Sequence, residues 1–188
     1  MHSPNRLVVL ASGVGSLTEA LIDAEKTGHL SGHIVAVGSD RESGAVGIAR
    51  TAGIPTFTVR PTDFDHRDLW DQALRQTVAL FKPTLVVSAG FMRVLGAAFL
   101  DEFEGLTINS HPALLPLFPG GHAVRDALEA GVSETGCTVH WISAGVDTGR
   151  VIAQRRVAVQ PGDDVASLHE RIKEQERQLL VEVINQLV

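Results

Sequence analysis

Short apolar runs alternate with longer amphipathic ones along this chain. Leu7–Ala11 has no polar side, which predicts a strand covered on both faces of a sheet. Ile34–Val37, Thr56–Val59 and Leu85–Ser88 predict three more strands, the last strongly apolar. Helical spacing fills the gaps between them. Leu17–Lys26 carries Leu17, Ala20, Leu21 and Ala24 on one stripe, with Thr27-Gly28 as its stop. Ser43–Ala52 predicts a short helix ending at Gly53. Asp65–Phe81 predicts a longer one, with Leu69, Trp70, Ala73, Leu74 and Val78 turned inward and Lys82-Pro83 after it. Strand-helix alternation of this kind predicts a parallel sheet with helices on both faces.

The pattern changes after Gly90. Phe91–Glu102 reads as helix or loop, and Leu106–Asn109 as a short strand. The stretch from His111 to Gly121 holds Pro112, Pro116 and Pro119, a stiff loop and not a helix. Ala123–Ala130 predicts a helix ending at Gly131. Thr138–Ile142 and Val151–Val159 predict two strands joined by Ser143–Arg150, and Val165–Leu187 a long closing helix. No repeat, linker or low-complexity segment interrupts residues 1–188. The expectation is one α/β domain, with a mostly parallel twisted sheet of about seven strands and helices on both faces, Rossmann-like in outline.

Composition narrows the function. Lys plus Arg number 16 and Asp plus Glu 22, so the net charge is −6. Such a chain has no general attraction to nucleic acid or anionic lipid, and any anion must be held at a local site. A single cysteine, Cys137, excludes an intramolecular disulfide and the usual zinc clusters, and fits a reducing, cytoplasmic setting. It has no basic neighbour and reads as a packed side chain. Arg6 followed by the five apolar residues Leu7–Ala11 falls short of the roughly 7–15 of a secretory leader, so a first strand is preferred.

Two places carry candidate chemistry. Ser12-Gly13-Val14-Gly15-Ser16 joins the first strand to the first helix. Glycines there let backbone N–H groups face an anion at the helix N-terminus, although Thr18 stands where a dinucleotide fingerprint has its third glycine. A tight turn with a serine cap is the plainer alternative. The second place is Asn109, His111 and the stiff loop after them. An amide at a strand end can donate to a developing oxyanion, and an imidazole two residues on can move a proton near neutral pH. Asp147, in Gly145-Val146-Asp147-Thr148-Gly149, is either a turn residue or a carboxylate that orients His111. Asp147-Thr148-Gly149 also occurs in aspartic proteases, but those need two carboxylates and an all-β body.

Asn109-Ser110-His111-Pro112-Ala113-Leu114-Leu115-Pro116, with Asp147-Thr148-Gly149 downstream, resembles the signature of the folate-dependent formyltransferase family. The resemblance extends to the Ser12–Ser16 turn, Ala89–Arg93, Phe118–His122, Gly136–His140 and Glu176, nearly the whole length. It implies the formyltransferase version of the Rossmann-like fold. It also implies transfer of the formyl group of 10-formyltetrahydrofolate, as co-substrate, to the amine of glycinamide ribonucleotide in purine biosynthesis, without a metal. By the same resemblance Asn109, His111 and Asp147 match catalytic positions. Gly13, Val14, Gly15, Ser16, Leu17, Lys173 and Glu176 match positions around the ribonucleotide. Arg67, Met92, Arg93, Val94, Leu95, His122, His140 and Val146 match the folate pocket. The N-terminal half is expected to hold the ribonucleotide phosphate, and the C-terminal half to hold folate and do the chemistry. Leu17 departs from the asparagine usual there. Small-molecule substrates are expected, with no nucleic acid and no membrane, in a monomer or homodimer. The alternatives are a formyltetrahydrofolate deformylase, in which the glycine turn has no evident purpose, and a non-catalytic nucleotide-binding module, which leaves Asn109, His111 and Asp147 unexplained.

Overall fold

β1 (Arg6–Leu10) buries all four of its apolar residues, so it needs sheet neighbours on both edges and cover on both faces. β2 (His33–Ser39) and β4 (Leu85–Ser88) supply the edges, both parallel to it. β3 (Thr56–Thr58) pairs parallel beyond β2, and β5 (Thr107–His111) parallel beyond β4. β6 (Glu134–Trp141) and β7 (Val151–Ala158) follow antiparallel, giving the order β3-β2-β1-β4-β5-β6-β7 in seven strands. The last pair runs antiparallel because residues 142–150 form a turn, too short for the crossover that parallel strands need. This computed structural model describes residues 5–188, so residues 1–4 of the expected domain lie outside the described residues.

Helices cover the sheet on both faces. α1 (Ser16–Lys26), α2 (Gly44–Thr51), α5 (Ala123–Glu129) and α6 (Val165–Leu187) contribute Leu21, Ala49, Val124 and Ile172 to one apolar cluster. α3 (Arg67–Leu80) and α4 (Ala97–Phe103) contribute Trp70, Leu74 and Phe99 to the other. No helix among the described residues is long and apolar enough to cross a membrane.

Several expected boundaries shift, each for a local reason. α3 starts at Arg67 and not Asp65, after a 3₁₀ turn at Pro61–Asp63. Its buried stripe runs through Trp70, Asp71, Leu74 and Val78, which leaves the expected core residue Leu69 45% exposed. Asp71 points inward because its carboxylate caps α4, accepting from the N–H groups of Gly96 at 2.7 Å and Phe99 at 3.0 Å. β5 runs from Thr107 to His111 instead of Leu106 to Asn109, with Leu106 exposed before it. β6 starts four positions before the expected Thr138, at Glu134. A Cβ on Gly136 would collide with the carbonyl of Arg155 on β7, so a residue that reads as a turn former is required by close strand approach. Cys137 therefore lies inside β6. Burial, then the charge of Glu176, pushes its thiol up to about 12.

The chain leaves β1 for β2 on one side and reaches β4 on the other. The crevice outside the carboxyl ends of β1 and β4 is where open α/β sheets take ligands.

Candidate active site

A cavity of about 530 Å³ occupies that crevice. β5 carries Asn109 and His111 to it on the same side of the strand, two residues apart. His111 is 4% exposed. Its Nε2 lies 2.8 Å from the carbonyl oxygen of Phe118 and its Nδ1 3.4 Å from Asp147 Oδ2. A carbonyl only accepts, so Nε2 carries a proton; the second proton of an imidazolium sits on Nδ1, facing the carboxylate. Phe118 has φ 54°, a conformation a bulky side chain rarely adopts, and there its carbonyl meets His111.

Asp147 comes from the turn between β6 and β7, itself at φ 54°. Oδ2 accepts from the N–H of Gly120 at 2.7 Å, and Oδ1 is 3.6 Å from His140 Nε2. Burial pushes the Asp147 carboxyl up. The His140 ring, the Gly120 N–H and the charge of His111 outweigh it and hold the group below the usual carboxylate range. His140, opposite Asn109 on β6, gives its Nδ1–H to the Trp141 carbonyl at 2.9 Å. Its Nε2 then accepts from the Asn109 amide at 3.2 Å. One N–H of Asn109 is thereby fixed, and the amide is aimed as a unit. A protonated His140 would instead present Nε2–H to Asp147. An amide, two imidazoles and one ionised carboxylate thus converge at one end of the cavity, a set suited to moving protons at a carbonyl carbon.

The other end is the turn after β1. Gly15 has φ 94°, and a Cβ on it would lie 2.6 Å from Ala45 Cα, so only glycine fits. It caps α1 with no side-chain bond, so Ser16 and its neighbours keep their N–H groups for a ligand. Gly13, Val14, Ser16 and Leu17 line the cavity with Gly15. The side chain of Leu17 is packed into the core, which leaves its backbone as the only polar contribution. Lys173 and Glu176 approach from α6. Glu176 is 3% exposed, and burial pushes its carboxyl up even though Ser110 Oγ donates to it at 2.7 Å.

The expected folate residues form the third wall. Met92, Arg93, Val94 and Leu95 follow β4, and His122, His140 and Val146 line the same cavity. Arg93 Nε donates to buried Asp40 at 2.7 Å, and Met92 N–H to Ser12 Oγ at 2.9 Å, which ties this wall to the turn after β1. Burial pushes the Asp40 carboxyl up, but hydrogen bonds from Arg41, Ser12 and Arg93 hold it well below the usual range. Arg67 is not part of the cavity lining. Its guanidinium stacks 4.9 Å from the Trp70 ring and donates to the Val94 carbonyl, bracing the wall from behind. Ser110 and His169 line the cavity without having been expected there. Strand alternation pointed Ser110 away from its neighbours, and only the spacing of His169 and Lys173, four apart on a helix, hinted at the other.

The formyl transferase family profile matches residues 5–184. The phosphoribosylglycinamide formyltransferase of Mycobacterium tuberculosis is 56% identical over 97% of this chain and 84% of its own length. The enzyme of the same name from Escherichia coli is 41% identical over 95% of this chain and 85% of its own. The crystal structure of glycinamide ribonucleotide transformylase 1 from Symbiobacterium toebii superposes with a TM-score of 0.95 at 38% identity, covering 98% of this chain and 88% of that one. With the profile spanning all but a few terminal residues, the chain belongs to the formyl transferase family.

Proposed function

We propose that the protein transfers the formyl group of 10-formyltetrahydrofolate to the amine of glycinamide ribonucleotide, giving formylglycinamide ribonucleotide and tetrahydrofolate in purine biosynthesis. The observation that carries this is the Asp147 carboxylate between His111 and His140, the latter bonded to Asn109, in a cavity also lined by a glycine turn at a helix N-terminus. A bare turn serves a binding module. The added proton-handling group serves chemistry on what is bound.

The ribonucleotide amine attacks the formyl carbon, and the carbonyl oxygen becomes an oxyanion. Asn109 donates its free N–H to that oxygen, and His111 as imidazolium adds a positive charge beside it. The attacking nitrogen must lose one proton, and the departing folate nitrogen must gain one. Asp147, ionised through its contacts with Gly120 and the two imidazoles, is the acceptor that passes the proton on. The amine–carbon bond forms, the folate nitrogen–carbon bond breaks, and no net proton is consumed. No protein nucleophile takes part. Gly13–Leu17, Lys173 and Glu176 hold the ribonucleotide. Met92–Leu95, His122, His140 and Val146 line the folate side, with Arg67 bracing it. Residues 1–188 act as one domain, cytoplasmic, as a monomer or homodimer, with small-molecule substrates and no metal.

Tetrahydrofolate release is followed with and without glycinamide ribonucleotide. Release that requires the ribonucleotide is expected. Release that ignores it identifies a hydrolase, and none at all identifies a binding module.

A further inference from the structure

α6 presents Val165, His169, Lys173 and Glu176 along the cavity, spaced four, four and three residues apart. That spacing is one helical stripe. The stripe has a chemical order, and the fold fixes which end is which. Glu176 takes a hydrogen bond from Ser110, the residue between Asn109 and His111, so of the four it is the one tied to the strand that carries them. At 1.5 Å per residue, Lys173 lies about 4.5 Å and His169 about 10 Å further along the axis. A ligand whose amine sits at Asn109 and His111 therefore sends its far end toward Lys173 and His169. On the proposed function, that far end is a phosphate dianion; the turn Gly13–Leu17 lines the same cavity, and Asn185 bonds to Ser31 and His29, so α6 runs alongside the helix that this turn opens.

We propose that His169 is a ligand of the ribonucleotide phosphate, working with Lys173 and supplying the side-chain donor that Leu17 does not. This rests on the function proposed above. Three observations support it. The ring lines the cavity, is half-buried, and makes no hydrogen bond to the protein among the described residues. Leu17 turns its side chain into the core, so beyond the backbone N–H groups the helix start offers the Ser16 hydroxyl but no donor from position 17. Burial, then the nearby Lys173 charge, pushes the His169 imidazole down, with the exposed Glu170 opposing more weakly. Among the described residues Lys173 pairs only with Glu170 on the exposed side, at 3.5 Å, so a dianion on the cavity side adds the negative charge that favours the protonated ring beside it.

The experiment measures steady-state kinetics of the full chain, wild type against His169→Ala and His169→Gln, with inorganic phosphate as competitor. In His169→Ala the KM for glycinamide ribonucleotide and the inhibition constant of phosphate should each rise about tenfold, the cost of one charge-assisted hydrogen bond. The loss should fall on these constants and not on kcat or the KM for folate. His169→Gln, which keeps a neutral donor, should recover part of it. The His169 ring signals of isotope-labelled wild type should shift as phosphate is added. An unchanged ribonucleotide KM in His169→Ala, or ring signals that ignore phosphate, overturns the proposal while leaving the function standing. If the wild type releases tetrahydrofolate without the ribonucleotide, the function itself fails and this proposal with it.

Discussion

The two ends of the cavity hold their polar groups in opposite ways. At the transfer end nearly every polar atom already has a protein partner. His111 is held by Phe118 and Asp147, Asp147 by Gly120, and Asn109 by His140, which is held in turn by Trp141. At the phosphate end the N–H groups of Ser16 and Leu17 and the ring of His169 are left without protein partners among the described residues. On the function proposed above, the difference follows from what each end must do. Stabilising a charge that exists only in the transition state requires groups aimed in advance, because reorganising them costs barrier height. Holding a permanent dianion requires free donors, because donors already satisfied have little left to give. Variants at the transfer end should therefore lower kcat, and variants at the phosphate end should raise one KM.

The largest break is expected at Asp147. Asp147→Asn keeps the shape and removes the charge between two imidazoles. Turnover should fall about a thousandfold or more, as when a coupled acid–base unit is disrupted. Dissociation constants for both substrates, measured by calorimetry, should change much less. Survival of turnover within a few-fold would make Asp147 a turn residue only. Asn109→Ala comes next, with a loss of about 10²–10³ in kcat for one oxyanion donor. It also frees His140 Nε2, so rapid-quench single turnovers should show the loss in the chemical step itself. Normal single-turnover rates would remove Asn109 from the chemistry.

The sequence made these two ends legible to different degrees. The alternation of apolar runs was enough for β1, β4 and their crevice, because four or five apolar residues that run into glycine turns are too short for a buried helix. Asn109 and His111 were visible because they share one short strand. That Asp147 meets His111, and that His140 stands between Asp147 and Asn109, depends on the β5–β6 register and on the hairpin turn, and no local pattern encodes either. The resemblance to a family supplied what periodicity could not. Leu69 and Gly136 show the other limit. One looked like core and is exposed; the other stood outside the strand expected from Thr138 and lies inside it, because partners distant in sequence decided both.

A smaller effect sharpens the phosphate end. Gly15→Val is a poor probe, since the 2.6 Å approach to Ala45 makes it a folding variant as well as a binding one. Gly13 has open space where a Cβ would go, and its φ is not positive. Gly13→Ala should leave the melting temperature within about a degree, because nothing in the fold is displaced. A methyl in the path of the phosphate should still raise the ribonucleotide KM several-fold, about 1 kcal/mol, with folate unaffected. Equal weakening of both substrates would mean that the turn serves the whole cavity and not one end of it.

The smallest effect concerns Glu176, which belongs to both ends. Its carboxyl is buried and pushed up, and Ser110 is its one hydrogen-bond donor among the described residues. A carboxyl whose pKa is raised on folding stabilises the fold while it is protonated, below its unfolded value, and that contribution is lost as pH rises through the folded value. At about pH 8 folding therefore works against the ionisation of this carboxyl, whereas at about pH 4 it does not. Glu176→Gln keeps an oxygen for the Ser110 hydroxyl and never ionises. Its melting temperature should exceed that of the wild type at about pH 8, and the gap should close by about pH 4. The same variant should bind the ribonucleotide more weakly, since an amide replaces a carboxylate at the cavity floor. A stability gain with a binding loss is what a functional carboxylate held at the expense of the fold must show. A variant that is less stable at high pH would instead mean that the charge of Glu176 supports the fold, and that the two ends of the cavity are joined by a structural residue and not by a binding one.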